Sequence, residues 1–361
     1  MALAKASRRS ETANAPPPVG QFYDVGGRRL LLHRSGEGSP AVVFLPGAGT
    51  VGIDYLGLQQ RAAQLTTSIL YDRAGTGWSD RARLVGRTGA EVSEELRDLL
   101  AIAGAPPPYV LVGHSLGGLY ARQYAQRFPH DVAGLVLLDP AHEDYNAYMP
   151  ERLNAMRGIS DPGAPTRESL VSLARKQFGR LLVRAMSGVV RNRLAQGVLL
   201  RLPIVRRYRV LYRGLIAQEM GADWPDAFRE LLIERHVSLQ WLWTGIEEAL
   251  NAEPLYDEVR RGGPLPDVPL IILCSMATDE FRRAVSVGED ESLLREEIEG
   301  KRRLYDALAA TVPHGENRPV DAGHLTIPFR QADAVLQAVQ DVLAASGRTP
   351  VLHAGATSVT S

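Results

Sequence analysis

The stretch "YVLVGHSLGGLYARQYAQRF", Tyr109 to Phe128, runs from a short apolar segment through Gly113-His114-Ser115-Leu116-Gly117 and straight into a helical pattern. Glycines two places on either side of a serine permit a sharp turn. Such a turn lifts the hydroxyl above the sheet while a helix N-terminus points beneath it. Ser115 is therefore the candidate nucleophile. The same G-x-S-x-G also occurs in ordinary strand-to-helix turns, so the weight of the reading lies on the strand before it and the helix after it.

Outward from this turn, β-type and helical patterns alternate. "QFYDV" and "RRLLLHR" flank Gly26-Gly27 and read as a hairpin, because adjacent glycines supply the positive φ of a tight turn. The runs "AVVFLP", "SILYD", "YVLVG", "VAGLVLLD", "PLIILCS" and, more weakly, "NRPV" lack strict alternation, as buried parallel strands do. Helical patterns at Thr88 to Ala103, Ser115 to Phe128 and Gln331 to Leu343 separate them. The expectation is an α/β layered sheet. From Asn146 to Leu255 there is helical periodicity and no strand pattern, which reads as an inserted helical cap over residues 146–255, with the core at 19–145 and 256–345. Residues 1–18 read as a disordered leader, since Arg8-Arg9 is followed by polar residues and prolines rather than an apolar signal, and residues 346–361 as a flexible tail.

Taken together, "GHSLGG", "YDRAGTGWSD" (Tyr71 to Asp80), "LIILCSMATDEF" and "RPVDAGHLTIP" resemble the α/β-hydrolase superfamily over Val19 to Glu143 and Asp267 to Ala345. The resemblance implies a mostly parallel sheet of about eight strands with helices on both faces. It also implies a nucleophile, an acid and a base at strand C-termini in that order. The candidates in that order are Ser115, Asp279 and His324. Asp139, at the end of "LVLLD" and before Pro140, is the alternative acid, with a competing role as a turn-former. A serine hydroxyl at its ordinary pKa is a poor nucleophile, so His324 would take its proton and the acid would hold the imidazole tautomer. The oxyanion would fall to backbone N–H groups, implied by the resemblance to be those of Leu116 and Ala48. Pro46 stands where many relatives carry a histidine.

That second donor lies in "VVFLPGAGTVG", Val42 to Gly52, whose Gly47-x-Gly49-x-x-Gly52 spacing, with Asp72 twenty residues on, also fits a dinucleotide-binding fingerprint. Oxyanion binding is the favoured reading, and Asp72 then braces the loop. No cofactor is expected. The implied activity is a serine hydrolase acting on an ester, thioester or lactone of an apolar small molecule through an acyl-enzyme. The alternatives are a lyase, a cofactor-free perhydrolase or haloperoxidase-like enzyme, or a binding protein that keeps the turn without turnover.

Lys plus Arg balance Asp plus Glu at 41 each, which argues against a nucleic-acid partner for the whole molecule. The single cysteine, Cys274, sits in an apolar run and reads as a buried hydrophobe, compatible with a reducing cytoplasm. No run approaches the length of a membrane span. No HExxH, paired cysteines or carboxylate cluster suggests a metal. His114 reads as a packed, hydrogen-bonded residue and Asp321 as a brace for the turn before His324. Arg180 to Gln218 holds nine arginines and no acid. Its apolar positions, Leu181, Leu182, Ala185, Met186 and Val190, then Ile204, Tyr208, Leu211, Tyr212 and Leu215, fall on one helical side, opposite Arg180, Arg184 and Arg191, then Arg206, Arg209 and Arg213. These faces are expected to roof the site, with the arginines in water or paired with acids, or else to receive an anionic lipid surface.

Overall fold

In the computed structural model, which describes residues 16–157, 192–221, 224–286 and 288–347 together with Ile159, Gly188 and Val190, eight strands form one sheet in the order β1-β2-β4-β3-β5-β6-β7-β8. These are β1 Gln21–Val25, β2 Arg28–Ser35, β3 Ala41–Leu45, β4 Ser68–Tyr71, β5 Tyr109–His114, β6 Val132–Leu138, β7 Leu270–Ser275 and β8 Gly315–Val320. β1 and β2 pair antiparallel through Gly26 and Gly27 at φ 60° and 83°, as a two-residue hairpin turn requires. β2 pairs antiparallel with β4, and the remaining pairings are parallel.

Every residue of β3, β5 and β7 is buried, which is why those runs lack an apolar–polar alternation. Their side chains still alternate between two cores. Val43, Leu45, Leu111 and Ile272 pack with α2 (Gly89–Ile102), α3 (Leu116–Arg127) and α12 (Glu291–Ala309) on one face. Val42, Phe44, Val110 and Leu273 pack with α1 (Leu56–Ala62) and α14 (Ala332–Ala345) on the other. α2 begins at a Thr88–Glu91 capping box, in which each side chain accepts from the other residue's backbone N–H.

Between β6 and β7 lie the helices α4 Tyr145–Tyr148, α5 Glu151–Met156, α6 Arg193–Leu199, α7 Pro203–Glu219, α8 Asp226–His236, α9 Leu239–Leu250 and α10 Ala252–Arg261. The expected re-entry into the core at 256 falls inside α10, whose Leu255 and Val259 join the same core as α3. After β7 come α11 Glu280–Val285 and α12, and after β8 the short α13 Ile327–Arg330 and α14. In α7, Arg213 pairs with Glu234 at 2.6 Å and with Glu230, and Arg209 donates to the Val237 carbonyl at 2.7 Å, while Arg206 and Arg207 are exposed. Apart from Val190, the residues named above between Arg180 and Arg191 lie outside the described residues, as do residues 1–15 of the leader and 348–361 of the tail. Among the described residues no helix is long and apolar enough to cross a membrane.

Candidate active site

β5 ends at His114, Ser115 turns the chain at φ 52° and ψ −118°, and α3 starts at Leu116. A positive φ is unfavourable for serine, and the surrounding packing holds it there. A Cβ on Gly117 would run into the Leu45 carbonyl, so the helix can follow so closely only with glycine at that position. Ser115 N–H donates to the Leu138 carbonyl at 3.0 Å, which ties the turn to the end of β6.

The His324 ring stands over this turn. Its Nε2 lies 2.9 Å from Ser115 Oγ, and its Nδ1 lies 2.6 Å from Asp139 Oδ2. The expected acid, Asp279, is elsewhere. Its carboxylate accepts from Arg282 N–H and Leu325 N–H, both at 2.8 Å, so it caps α11 and holds the backbone that follows His324 rather than the ring. Sheet order explains which carboxylate reaches the ring. β6 neighbours β5, so the first residue after β6 is next to Ser115, whereas Asp279 is four residues past β7 in a loop that bends toward α11. Asp139 has φ 41°, and among the described residues it and Ser115 are the two non-glycine residues at positive φ. Burial pushes the Asp139 carboxyl up, but the Lys301 ammonium and the His324 hydrogen bond outweigh it and hold the group well below the usual carboxylate range.

Behind Ser115, polar contacts join the loops. His114 Nε2 faces the His324 carbonyl at 2.8 Å; a carbonyl only accepts, so Nε2 carries the proton and Nδ1 accepts from Tyr55 O–H at 2.7 Å. Tyr55 Oη in turn accepts from Gly47 N–H at 3.3 Å. Burial, with a smaller push from His324, lowers the His114 pKa to about 3, so this ring stays neutral.

The 47–52 loop is held from two sides. Arg73 is buried, donates to the Pro46 and Gly47 carbonyls and pairs with Glu248 of α9 at 2.7 Å; Glu248 also accepts from Gly49 N–H at 3.0 Å. Asp72 accepts from Gly52 N–H at 2.8 Å and Trp78 N–H at 2.9 Å, and burial pushes its carboxyl up to about 6 against those bonds. Arg73 thus pairs with Glu248 rather than with Asp72. A Cβ on Gly52 would meet Tyr71 backbone at 2.8 Å. Packing and loop bracing therefore account for Gly52 and Asp72, two parts of the apparent dinucleotide fingerprint. Leu116 is the first residue of α3, so its N–H has no intrahelical acceptor. Ala48 sits in the turn closed by Thr50 N–H on the Gly47 carbonyl.

A cavity of about 590 Å³ opens over Ser115 and His324. Tyr208, Leu211, Tyr212 and Leu215 of α7 form one wall, and Phe281 and Leu294 another. Neither Ala48 nor Leu116 is part of its lining. His142, Glu143 and Asp144 bring ligand-type atoms within 4.8 Å of one another. However, Arg122 engages both Glu143 oxygens at 2.7 Å, and His142 Nδ1 accepts from Asp144 N–H. Asp321 is exposed and contributes its carbonyl to Gln331. Cys274 is fully buried, as read. His236 is buried, bonds Asp54 at 2.9 Å and stacks on Trp224.

A parallel sheet with a serine turn after its fifth strand and a histidine after its last defines an α/β hydrolase. The family model described as "Alpha/beta hydrolase family" matches residues 42–338, and the chain belongs to that family. Among curated proteins it is similar to the uncharacterized protein YqjL of Bacillus subtilis, 36% identical over 124 residues. That match covers 34% of this chain and 49% of YqjL, so the chain spans about half the length of that relative. Among solved structures it resembles the epoxide hydrolase CorEH (TM-score 0.54, 15% identity, 90% of this chain and 98% of that one). It also resembles a thermophilic esterase from Thermogutta terrifontis (TM-score 0.50, 19% identity, 91% and 99%). At such identities these likenesses concern the fold alone.

Proposed function

We propose that this protein is a serine hydrolase that cleaves an ester, thioester or lactone of an apolar small molecule through an acyl-enzyme. The observation that carries the reading is the hydrogen-bonded series Ser115 Oγ, His324 Nε2, His324 Nδ1 and Asp139 Oδ2, at 2.9 and 2.6 Å. His324 takes the hydroxyl proton as Ser115 Oγ attacks the carbonyl carbon. The Leu116 and Ala48 N–H groups receive the oxyanion, and His324 returns the proton to the leaving oxygen or sulfur. Water, deprotonated by the same imidazole, then releases the acid and restores Ser115. Asp139 keeps the ring in the Nδ1–H tautomer and stabilises its cationic form.

The helical insertion acts as a cap, and its apolar α7 face supports an apolar acyl or alcohol group in the cavity. Epoxide opening is disfavoured by Ser115 itself: a serine oxygen attacking an epoxide carbon would leave an ether, with no carbonyl for water to attack. Labelling by a fluorophosphonate probe, and a screen of p-nitrophenyl esters of rising acyl length beside lactones and amides, test the reading with Ser115→Ala as blank. Labelling without turnover of any ester, thioester or lactone would favour a non-hydrolytic enzyme on the same residues, and absence of both would favour a binding protein. Val198, Leu202 and Val210 are exposed beside Arg201, Arg206 and Arg207, which supports the alternative of a contact with anionic lipid. Salt-sensitive co-sedimentation with anionic but not zwitterionic vesicles is its measurement.

A further inference from the structure

A lysine shares the acid's oxygen with the histidine. Lys301, nearly buried in the middle of α12, donates from Nζ to Asp139 Oδ2 at 2.8 Å, the same oxygen that His324 Nδ1 reaches at 2.6 Å. Its other partner is Ser275 Oγ at the end of β7, and Ser275 N–H donates to the second Asp139 oxygen at 3.1 Å. The carboxylate is thus fixed by β7 and α12, and His324 shares its oxygen with the Lys301 ammonium. The structure assigns Lys301 as a positioning residue that holds Asp139 and sets the lower pH boundary of the reaction by opposing protonation of His324. This deepens the serine-hydrolase reading above and rests on it.

When His324 takes a proton it becomes a second cation on an oxygen already bonded to an ammonium, and like charges this close disfavour the charged form. Other groups around the pair contribute little charge near neutrality. His114, facing the ring from β5 with centroids 5.4 Å apart, is neutral, its pKa lowered by burial to about 3. Cys274 of β7 is a thiol pushed up to about 12 by burial, and burial likewise raises Tyr305 of α12 well above the usual phenol range. His142, lining the same cavity, is lowered to about 4 by burial. Of the ionised side chains in that wall, Arg282 pairs with Glu297 at 2.6 Å, and the Asp279 carboxylate is bonded to two backbone N–H groups.

Lys301→Met removes the charge and keeps the length. The acid limb of kcat/KM is expected to move up by about one pH unit, a loss of about tenfold on that limb with the plateau nearly kept. Ser275→Ala disturbs the same contact but leaves the ammonium on Asp139, and its limb is expected to stay in place. The titration midpoint of the His324 ring protons, followed by NMR in Ser115→Ala and in Ser115→Ala with Lys301→Met, should rise by the same amount. That measurement needs no substrate. A protein without esterase activity would sink the hydrolase reading while the NMR comparison still decides the role of Lys301. An unmoved or falling midpoint in a folded charge-free protein overturns the inference. If Lys301→Met does not fold, Lys301→Gln, which keeps a neutral donor, carries the comparison; collapse of both would make Lys301 a strut for the fold and overturn its tuning role.

Discussion

Asp139 and Asp279 stand beyond the ends of neighbouring strands, both are buried, and both act on the segment that carries His324, but on different parts of it. Asp139 follows β6 directly and takes the ring; Asp279, four residues past β7, takes the backbone N–H of Leu325 and caps α11. The two turns differ in how tightly the sheet constrains them. Asp139 N–H is bonded to the Leu273 carbonyl of β7 and its φ is 41°, so its carboxylate is aimed by strand pairing. Asp279 belongs to a longer connection that is free to bend toward a helix N-terminus, where carboxylates are welcome caps. What an acid after a strand does is therefore decided by which neighbour the sheet order brings beside it, not by how hydrolase-like its local sequence looks.

The comparison can be broken first at its shared target. Ser115→Ala or His324→Ala should lower kcat by about 10⁴ or more with the melting temperature nearly unchanged, because nucleophile and base act as a unit. Next comes the acid itself. Asp139→Asn should cost roughly 10³ to 10⁴ in kcat, since the amide cannot balance the imidazolium. Asp279→Asn should act mainly on stability, by about 1 to 2 kcal/mol for a weakened cap and a weakened bond to Leu325, with less than tenfold loss in kcat. Steady-state kinetics and thermal melts on the pair decide this, and a larger kcat loss at Asp279 than at Asp139 would reverse the assignment.

A smaller effect sharpens the picture of how the base loop is held. His114 is neutral in the fold, with a pKa lowered to about 3, while in the unfolded chain it titrates near the ordinary value of about 6.5. Between those values the unfolded state binds a proton that the native state does not. Stability therefore falls as pH drops from about 6.5 toward 3, and is unaffected by this group above that window. His142, lowered to about 4, acts in the same direction. Melting temperature against pH should fall less steeply in His114→Asn than in the parent; an identical slope would remove His114 from the acid sensitivity of the fold.

Much of the architecture is legible in local sequence. The buried strands announced themselves as unbroken apolar runs, the hairpin by Gly26-Gly27, and α2 by the helical pattern that starts at Thr88. Ser115 was legible because its turn is built from consecutive residues, and His324 because it follows the last strand. Gly47, Gly49 and Gly52 with Asp72 also fit a dinucleotide spacing, because a tight loop under a helix demands the same glycines whether it meets a phosphate or Tyr71 backbone. Lys301 was missed, though a signal was present. It falls in register with Leu294, Leu304 and Leu308 on the apolar stripe of a helix otherwise rich in charge, and a lysine at a core position needs a buried acid.

By itself the sequence determined the class of fold, the serine turn and the place of His324 after the last strand, because each of these rests on periodicity or on a few contiguous residues whose backbone preferences are local. Tertiary structure alone decided which carboxylate serves His324 and which lysine shares its oxygen. It also decided that Glu248 of α9 grips both Arg73 and the Gly49 N–H, and that the α7 aromatics wall the cavity. Those contacts join residues 162 positions apart for Asp139 with Lys301 and 175 apart for Arg73 with Glu248. No local preference encodes such a meeting; the order of strands in the sheet and the packing of helices over it do.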